Sequence, residues 1–70
     1  MNYGKELKAH RESKNISQSE LAKIIGVNQA TISLWEDNKR TPTIDNCVAM
    51  ADFYEITLDE LIGRDFKKNW

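Results

Sequence analysis

Four residues along one predicted helix carry side chains suited to recognition by contact, and their spacing places them on one solvent-facing side. They are Gln29, Ala30, Ser33 and Leu34. The Gln29 amide can donate and accept hydrogen bonds together, which matches the exposed edge of an adenine, and the Ser33 hydroxyl can do either. Ala30 and Leu34 offer apolar surface for a thymine methyl group. The chemistry that this face indicates is therefore hydrogen bonding and apolar contact.

The segment that must position this face, Gln18–Asp37, predicts a helix, a tight turn and a second helix. The first helix has an apolar stripe formed by Leu21, Ala22 and Ile25. Gly26 ends that helix because glycine adopts the left-handed conformation without a Cβ penalty. Asn28 is a good N-cap for the second helix, in which Ile32 and Trp35 resume the stripe. This pattern predicts an exposed helix with the width to enter a DNA major groove.

The motif and its surroundings resemble the lambda-repressor-like (Cro/repressor-type, XRE) helix-turn-helix domains. The resemblance covers about residues 4–62 and rests on SQSELAKIIGVNQATISLWEDNKRTP and IDNCVAMADFYEITLDELI. It implies an all-α, compact five-helix domain in which helices 2 and 3 form the helix-turn-helix. It also implies that helix 3 contacts DNA bases through Gln29, Ala30, Ser33 and Leu34.

The same resemblance assigns two supporting roles outside the base-contacting face. Gln18, at the start of helix 2, is expected to bond a phosphate and to brace Gln29. An arginine at the position of Arg11 pairs in the family with a glutamate that matches Glu36, which would tie helix 1 to helix 3. Further candidates for phosphate contact are Asn28, Thr31, Lys39 and Arg40.

Three further helices complete the predicted domain. Helix 1 spans about Gly4–Lys14, and we expect left-handed residues at Asn15 after it and at Asn38 after helix 3, where relatives usually have a glycine. Helix 2 begins at a capping box of Ser17 and Glu20, and helix 5, about Leu58–Ile62, begins at a second one of Thr57 and Glu60. Helix 4 follows its N-cap Thr43, and its predicted core-facing residues are Ile44, Cys47, Val48, Ala51 and Tyr54. Residues 1–63 are thus predicted to form one domain, followed by a short C-terminal tail over residues 64–70.

Composition limits the possible functions further. The single cysteine, Cys47, allows no intrachain disulfide and suits the cytoplasm, and neither a signal peptide nor a membrane-spanning run is found in the 70 residues. His10 is the only histidine, which we expect to be partly buried and bonded to a neighbour or to water. No metal or other cofactor is predicted. The lack of a glycine-rich phosphate loop and of a paired catalytic set argues against an enzyme.

The net charge of −1 is unevenly distributed. Residues 1–40 contain seven lysines and arginines against five acidic residues, and residues 41–70 contain three against six. The first part therefore has a net charge of +2 and the second a net charge of −3. A mildly basic half beside an acidic half is compatible with docking on phosphates.

The favoured interpretation is a sequence-specific regulator of transcription that binds double-stranded DNA, more readily a repressor than an activator. Because each copy reads few base pairs, we expect a homodimer on a pseudo-palindromic operator. The dimer contacts would come from helix 5 through Leu58, Leu61 or Ile62, with Phe66 and Trp70 of the tail as further anchors unless the tail is frayed. The alternative is a protein-interaction or antitoxin-like module with the same fold, which the acidic balance and the exposed Leu34 favour slightly.

Overall fold

A computed structural model describes residues 3–64, which form five α-helices and no strand. The helices are α1 (Gly4–Ser13), α2 (Gln18–Ile25), α3 (Gln29–Glu36), α4 (Ile44–Tyr54) and α5 (Leu58–Ile62). The predicted all-α five-helix fold is confirmed. Helices α1 and α3 each end one residue earlier than the sequence suggested, a difference typical of fraying helix ends.

Capping boxes determine where α2 and α5 begin. At the start of α2, the Ser17 hydroxyl accepts from the Glu20 backbone N–H at 3.0 Å, and the Glu20 carboxylate accepts from the Ser17 N–H at 2.9 Å. These bonds favour the ionised carboxylate and lower the pKa of Glu20. Thr57 and Glu60 repeat this capping box at α5. Both predicted boxes are therefore confirmed.

Besides Gly26 and Gly63, three non-glycine residues after helices are left-handed, and only two of these three were predicted. Asn15 and Asn38 have φ angles of 57° and 61°, as expected for the commonest non-glycine residue in this conformation. Glu55, which follows α4, also has a positive φ of 58°. No property of a glutamate predicts this; the turn is closed by the Ile56 N–H, which donates to the Ala51 carbonyl at 3.0 Å, and Ile56 packs against the core.

The core is formed by residues from all five helices. Its buried apolar members are Leu7, Leu21, Ala22, Ile32, Trp35, Met50, Ala51, Tyr54 and Leu61. Ala22 lies where α2 approaches α3, and its carbonyl accepts from the N–H groups of Gly26 and Val27 at 2.9 Å each. Burial raises the pKa of Tyr54 to about 12. The turn between α2 and α3 is thus closed by backbone hydrogen bonds over a buried alanine.

The prediction for the core-facing side of α4 is wrong at two positions. Ile44 is 73% exposed and Val48 is 41% exposed, whereas Met50 is buried. Val48 lies about 100° around the helix from Cys47, on the edge of the buried stripe. Ile44 is the first residue of α4. Cys47 is half-buried against the core, and this burial raises the pKa of its thiol.

Helix α5 offers a narrower outer surface than the sequence suggested. Leu61 is fully buried at 0% exposure, so it stabilises the core and is not available to a second copy of the chain. Leu58 is exposed and Ile62 is half-buried. The tail aromatics Phe66 and Trp70 lie outside the described residues.

Gly4 provides the first test of the packing, because it lies buried where α1 begins beside the end of α3. A Cβ at this position would overlap the Glu36 carbonyl oxygen and lie 2.8 Å from Asn38 Oδ1. We expect Gly4→Ala to lower the free energy of unfolding by about 1–3 kcal/mol, although alanine is normally the better helix residue. Thermal unfolding should show the loss, with the exposed Lys5→Ala as the control. An unchanged or higher Tm for Gly4→Ala would contradict the close approach.

Candidate nucleic-acid interface

Helix α3 presents one face outward because its other face is fixed in the core. Ile32 and Trp35 are buried, and Asn28 caps the helix by accepting from the Ala30 N–H at 2.7 Å. On the outer face, Gln29 and Ala30 are exposed. The other two predicted contact residues are Leu34, which is 37% exposed, and Ser33, which is half-buried. The first turn of α3 is therefore its most accessible part, and Ser33 is recessed.

Gln29 and Gln18 are in direct contact across the turn. The Gln29 side-chain N–H donates to Gln18 Oε1 at 3.1 Å. Gln18 in turn donates from Nε2 to Glu36 Oε1 at 2.9 Å. The exposed amide on α3 is therefore connected through α2 to a carboxylate at the far end of α3.

Glu36 is also the partner of Arg11, so the predicted pair lies in contact. Arg11 Nε donates to Glu36 Oε2 at 2.7 Å and Nη2 donates to Oε1 at 3.1 Å. The Arg11 and Glu36 side chains are only 11% and 4% exposed. A third bond runs from Arg11 Nη1 to the Ile16 carbonyl at 2.9 Å, and the hydrogen bond with Glu36 raises the pKa of Arg11. This geometry joins α1 to α3 and to the loop before α2.

The predicted phosphate-contacting residues are distributed along the α2–α3 pair and the loop that follows it. The Asn28 side-chain oxygen is used by the helix cap, which leaves its NH₂ group to donate. Thr31 is half-buried. Lys39 and Arg40 are exposed in the loop after α3, where both backbone N–H groups donate to the Leu34 carbonyl. Within residues 3–64 neither of these cations forms an ion pair.

Two contacts that hold α1 in place have partners that were not predicted from the sequence. Asn38 Oδ1 accepts from the Gly4 N–H at 2.8 Å, so the residue after α3 also satisfies the start of α1. An asparagine in place of the usual turn glycine was the available signal, since it adds a side-chain acceptor that glycine lacks. His10 Nε2 lies 2.8 Å from the Glu60 carbonyl, which agrees with the expected partly buried histidine. This second contact joins α1 to α5.

No helix within residues 3–64 has the length and apolar character that crossing a membrane requires. The same residues contain no cluster of three or more histidine, cysteine, aspartate or glutamate side chains that could hold a metal ion.

Two short helices, joined at a left-handed glycine and packed so that the second has a free outer face, define a helix-turn-helix domain. Comparison with known proteins identifies the same class, because residues 7–61 match the helix-turn-helix family. The chain belongs to that family.

Its curated relatives include both activators and repressors. The chain is 32% identical over 63 residues to the HTH-type transcriptional activator BcrR of Enterococcus faecalis, covering 90% of this chain and 31% of BcrR. It is 34% identical over 64 residues to the cryptic phage CTXphi transcriptional repressor RstR of Vibrio cholerae, covering 91% of this chain and 57% of RstR. The chain therefore spans roughly a third to a little over half of the length of these relatives.

Solved structures confirm the repressor-type fold that the sequence resembled. The c2 repressor of phage P22, solved in complex with a synthetic operator, superposes with a TM-score of 0.83 at 29% identity. The match covers 93% of this chain and 98% of the repressor chain. The restriction-modification controller protein C.AhdI of Aeromonas hydrophila matches with a TM-score of 0.79 at 27% identity, over 86% of this chain and 91% of that one.

Proposed function

We propose that the protein is a sequence-specific, double-stranded DNA-binding regulator of transcription whose α3 enters the major groove. The observation that carries this proposal is the exposed Gln29 amide at the N-terminal turn of α3, held by Gln18. The first residues of a recognition helix enter the groove, and a glutamine there can bond adenine N6 and N7 together. The P22 c2 repressor, which was solved on a synthetic operator, has the same fold and supports this assignment.

Base contact would come from the outer face of α3 and phosphate contact from its surroundings. Gln29 and Ala30, in the first turn of α3, would contact base edges, and Leu34 would contact a thymine methyl. Ser33 is half-buried and would contact a base only where the base lies close to α3. At the start of α2, backbone N–H groups that lack helical partners would donate to a phosphate near Gln18. In the loop after α3, Lys39 and Arg40 supply positive charge. Asn28 and Thr31 lie between Gln18 and this loop in the sequence. Such contacts position α3 without reading sequence.

The proposed active form is a homodimer on a pseudo-palindromic operator. A single α3 spans few base pairs, so two copies with half-sites about 34 Å apart would be needed for selective binding. Leu58 is the exposed apolar residue of α5 that would contact the second copy in such a dimer, together with the half-buried Ile62. We further propose that the protein acts in the cytoplasm by occluding promoters, through binding and not through catalysis.

Selection of bound duplexes from a random pool tests this proposal as a whole. At low salt we expect enrichment of one motif, and its two-fold symmetry and half-site spacing would report the dimer. An asymmetric motif would contradict the dimer alone. Recovery of no motif, with the protein shown to be folded, would contradict sequence-specific binding.

A protein-interaction module is the second candidate, because apolar side chains are exposed where a partner could contact them. Leu34 lies on the outer face of α3, and Ile44 and Val48 are exposed on α4. Ionic strength distinguishes the two functions. Binding to DNA should weaken steeply as salt rises because counterions are released, whereas apolar docking should not.

Lys39→Ala provides the prediction for phosphate contact. Because Lys39 is exposed, unpaired within residues 3–64 and placed beside the end of α3, its loss should weaken binding to operator and random duplexes alike. The slope of log affinity against log salt should flatten by about one unit for each bound copy of the chain. The exposed Lys8→Ala on α1 is the matched control and should leave the slope unchanged. A loss confined to the operator would instead place Lys39 in base recognition.

A further inference from the structure

We infer that the outer side of α4 is a docking surface for a basic, amphipathic helix of another protein. This surface, the α4 face, consists of Ile44, Asp45, Val48 and Asp52, which lie within an arc of about 100° around the helix. Ile44 is 73% exposed, Val48 is 41% exposed, and both aspartates are exposed. The inference does not depend on DNA binding, because the α4 face belongs to a different helix from the proposed base contacts.

Most residues of the α4 face do not favour the helix that contains them. Ile44 and Val48 are β-branched, which lowers their helix propensity, and neither is buried in the core. Asp52 lies in the last turn of α4, where the helix dipole disfavours a carboxylate. Only Asp45 has a local role, as the acidic residue of the first turn. Residues that oppose local preferences without a gain inside the protein are typical of functional surfaces, so this face indicates a contact outside the chain.

The charge of the α4 face determines the kind of partner. Helix α4 contains no lysine or arginine, and within residues 3–64 neither Asp45 nor Asp52 forms an ion pair. Glu55, which directly follows α4, adds a third acidic residue at the end where Asp52 lies. These carboxylates repel the phosphates of DNA and of anionic lipids and attract lysine or arginine. The complementary partner is therefore basic as well as apolar.

A second copy of this chain would be a poor partner for the α4 face. A two-fold antiparallel contact centred on the middle of α4 would place Asp45 of one copy opposite Asp52 of the other, and would do so twice. Any other two-fold contact of this face would also bring only acidic groups together, since the face has no cation. Like charges placed opposite each other destabilise an interface, so the partner is a different protein.

The spacing of the α4 face fits a helix. Ile44, Val48 and Asp52 are four residues apart and form one ridge, which can pack into the groove of a second helix. Asp45 and Asp52 are separated by about 10.5 Å along the axis, because each residue of a helix rises about 1.5 Å. The matching helix would have two lysines or arginines seven residues apart, with apolar residues between them.

Two synthetic peptides provide the test. Both have about 18 residues, enough to form a helix, and both have a leucine stripe. They differ only at two positions seven residues apart, which are lysines in one peptide and glutamates in the other. Titration of the full chain into each fluorescent peptide, followed by anisotropy, would give the two affinities. We expect the lysine peptide to bind about 10-fold more tightly, because each exposed charge pair contributes about 2- to 5-fold.

Asp52→Lys tests the role of charge. It replaces one attraction by one repulsion, so the preference for the lysine peptide should fall to about one. Glu12→Lys, which makes the same change of charge at an exposed position on α1, is the matched control and should keep the wild-type preference. Asp52→Lys should not lower the Tm, because the helix dipole favours a cation in the last turn. A wild-type preference that survives in Asp52→Lys would overturn the inference.

Val48→Ser tests the role of the apolar surface. It should weaken binding of both peptides by about 10-fold or more, because burial of the valine is lost. Leu34→Ser, which removes an exposed leucine from the outer face of α3, should weaken neither. Binding of neither peptide to the folded wild-type protein, or equal binding of both, would overturn the inference.

NMR spectra of the isotope-labelled protein would locate the contact. On addition of the lysine peptide, the largest shifts of backbone amide signals should fall within Ile44–Tyr54, and the outer face of α3 should be unaffected. Shifts centred on α3 would overturn the inference and favour the protein-interaction function for that helix. Because no step of this test uses DNA, its failure would leave the proposed DNA-binding function standing.

Discussion

Gln29→Ala is expected to abolish most of the discrimination between operator and random duplex while leaving the protein folded. A bidentate contact with a base contributes about 1–3 kcal/mol of discrimination, and a dimer would lose one such contact in each half-site. Folding should be unaffected because the Gln29 side chain is exposed and its one bond within residues 3–64 goes to Gln18. The expected result is therefore a loss of specificity without a loss of stability.

Titration of the selected operator and of a random duplex with Gln29→Ala would measure this ratio directly. Lys23→Ala is the control, because Lys23 is exposed on α2 and makes no bond with Gln18 or Gln29, and it should keep the wild-type ratio. Thermal unfolding of both variants should match wild type. Equal losses on the operator and on random DNA would remove Gln29 from base recognition.

Arg11→Ala should produce the largest change in stability. Removal of one partner from a buried ion pair costs about 3–5 kcal/mol because the other charge is left buried and unpaired. Here Glu36 would keep only its bond from Gln18, and the Ile16 carbonyl would lose its donor. A domain of this size is stabilised by about 0.05–0.15 kcal/mol per residue, so the variant should lose much of its total stability.

Urea unfolding followed by circular dichroism would give the free energy of unfolding for this comparison. The matched control is Arg64→Ala, because Arg64 and Asp59 form an exposed pair at 3.8 Å with side chains 56% and 37% exposed. Such a pair contributes about 0–1 kcal/mol. If Arg11→Ala unfolded at the same urea concentration as Arg64→Ala, the buried pair would not be a principal contributor to stability.

The helices and their ends could be predicted from the sequence because local signals determine them. The capping box of Ser17 and Glu20 contains both partners within four residues, and Gly26 adopts the φ angle of 78° that its position requires. Asn28 likewise caps α3 from the adjacent position. The resemblance to the repressor-type family then supplied the arrangement of the five helices.

Burial at the edges of helices could not be predicted in the same way. A helical pattern gives the direction of a side chain and not whether another element covers it, which explains the errors at Ile44 and Val48. Leu61 was a candidate for the dimer contact and is instead buried, because the pattern of a short helix with two leucines does not indicate which of them the core covers. Ser33 has the spacing of the outer face, yet its place near the middle of α3 leaves it recessed.

The hydrogen bonds of Glu36 show a third kind of contact that sequence patterns do not predict. The pairing of Arg11 with Glu36 was available from the family resemblance. The bond from Gln18 to Glu36 joins residues 18 positions apart, and no local pattern reports it. The assigned base and phosphate contacts and the domain boundary at residue 63 stay predictions.

The continuity from Arg11 to Gln29 has a consequence for protein engineering. Transplanting the outer residues of α3 onto a different helix-turn-helix scaffold would carry over the glutamine but not the groups that orient it. The recipient would need matching residues in its first, second and third helices before the glutamine was held in the same way. The position of the Gln29 side chain therefore depends on α1, α2 and α3 together.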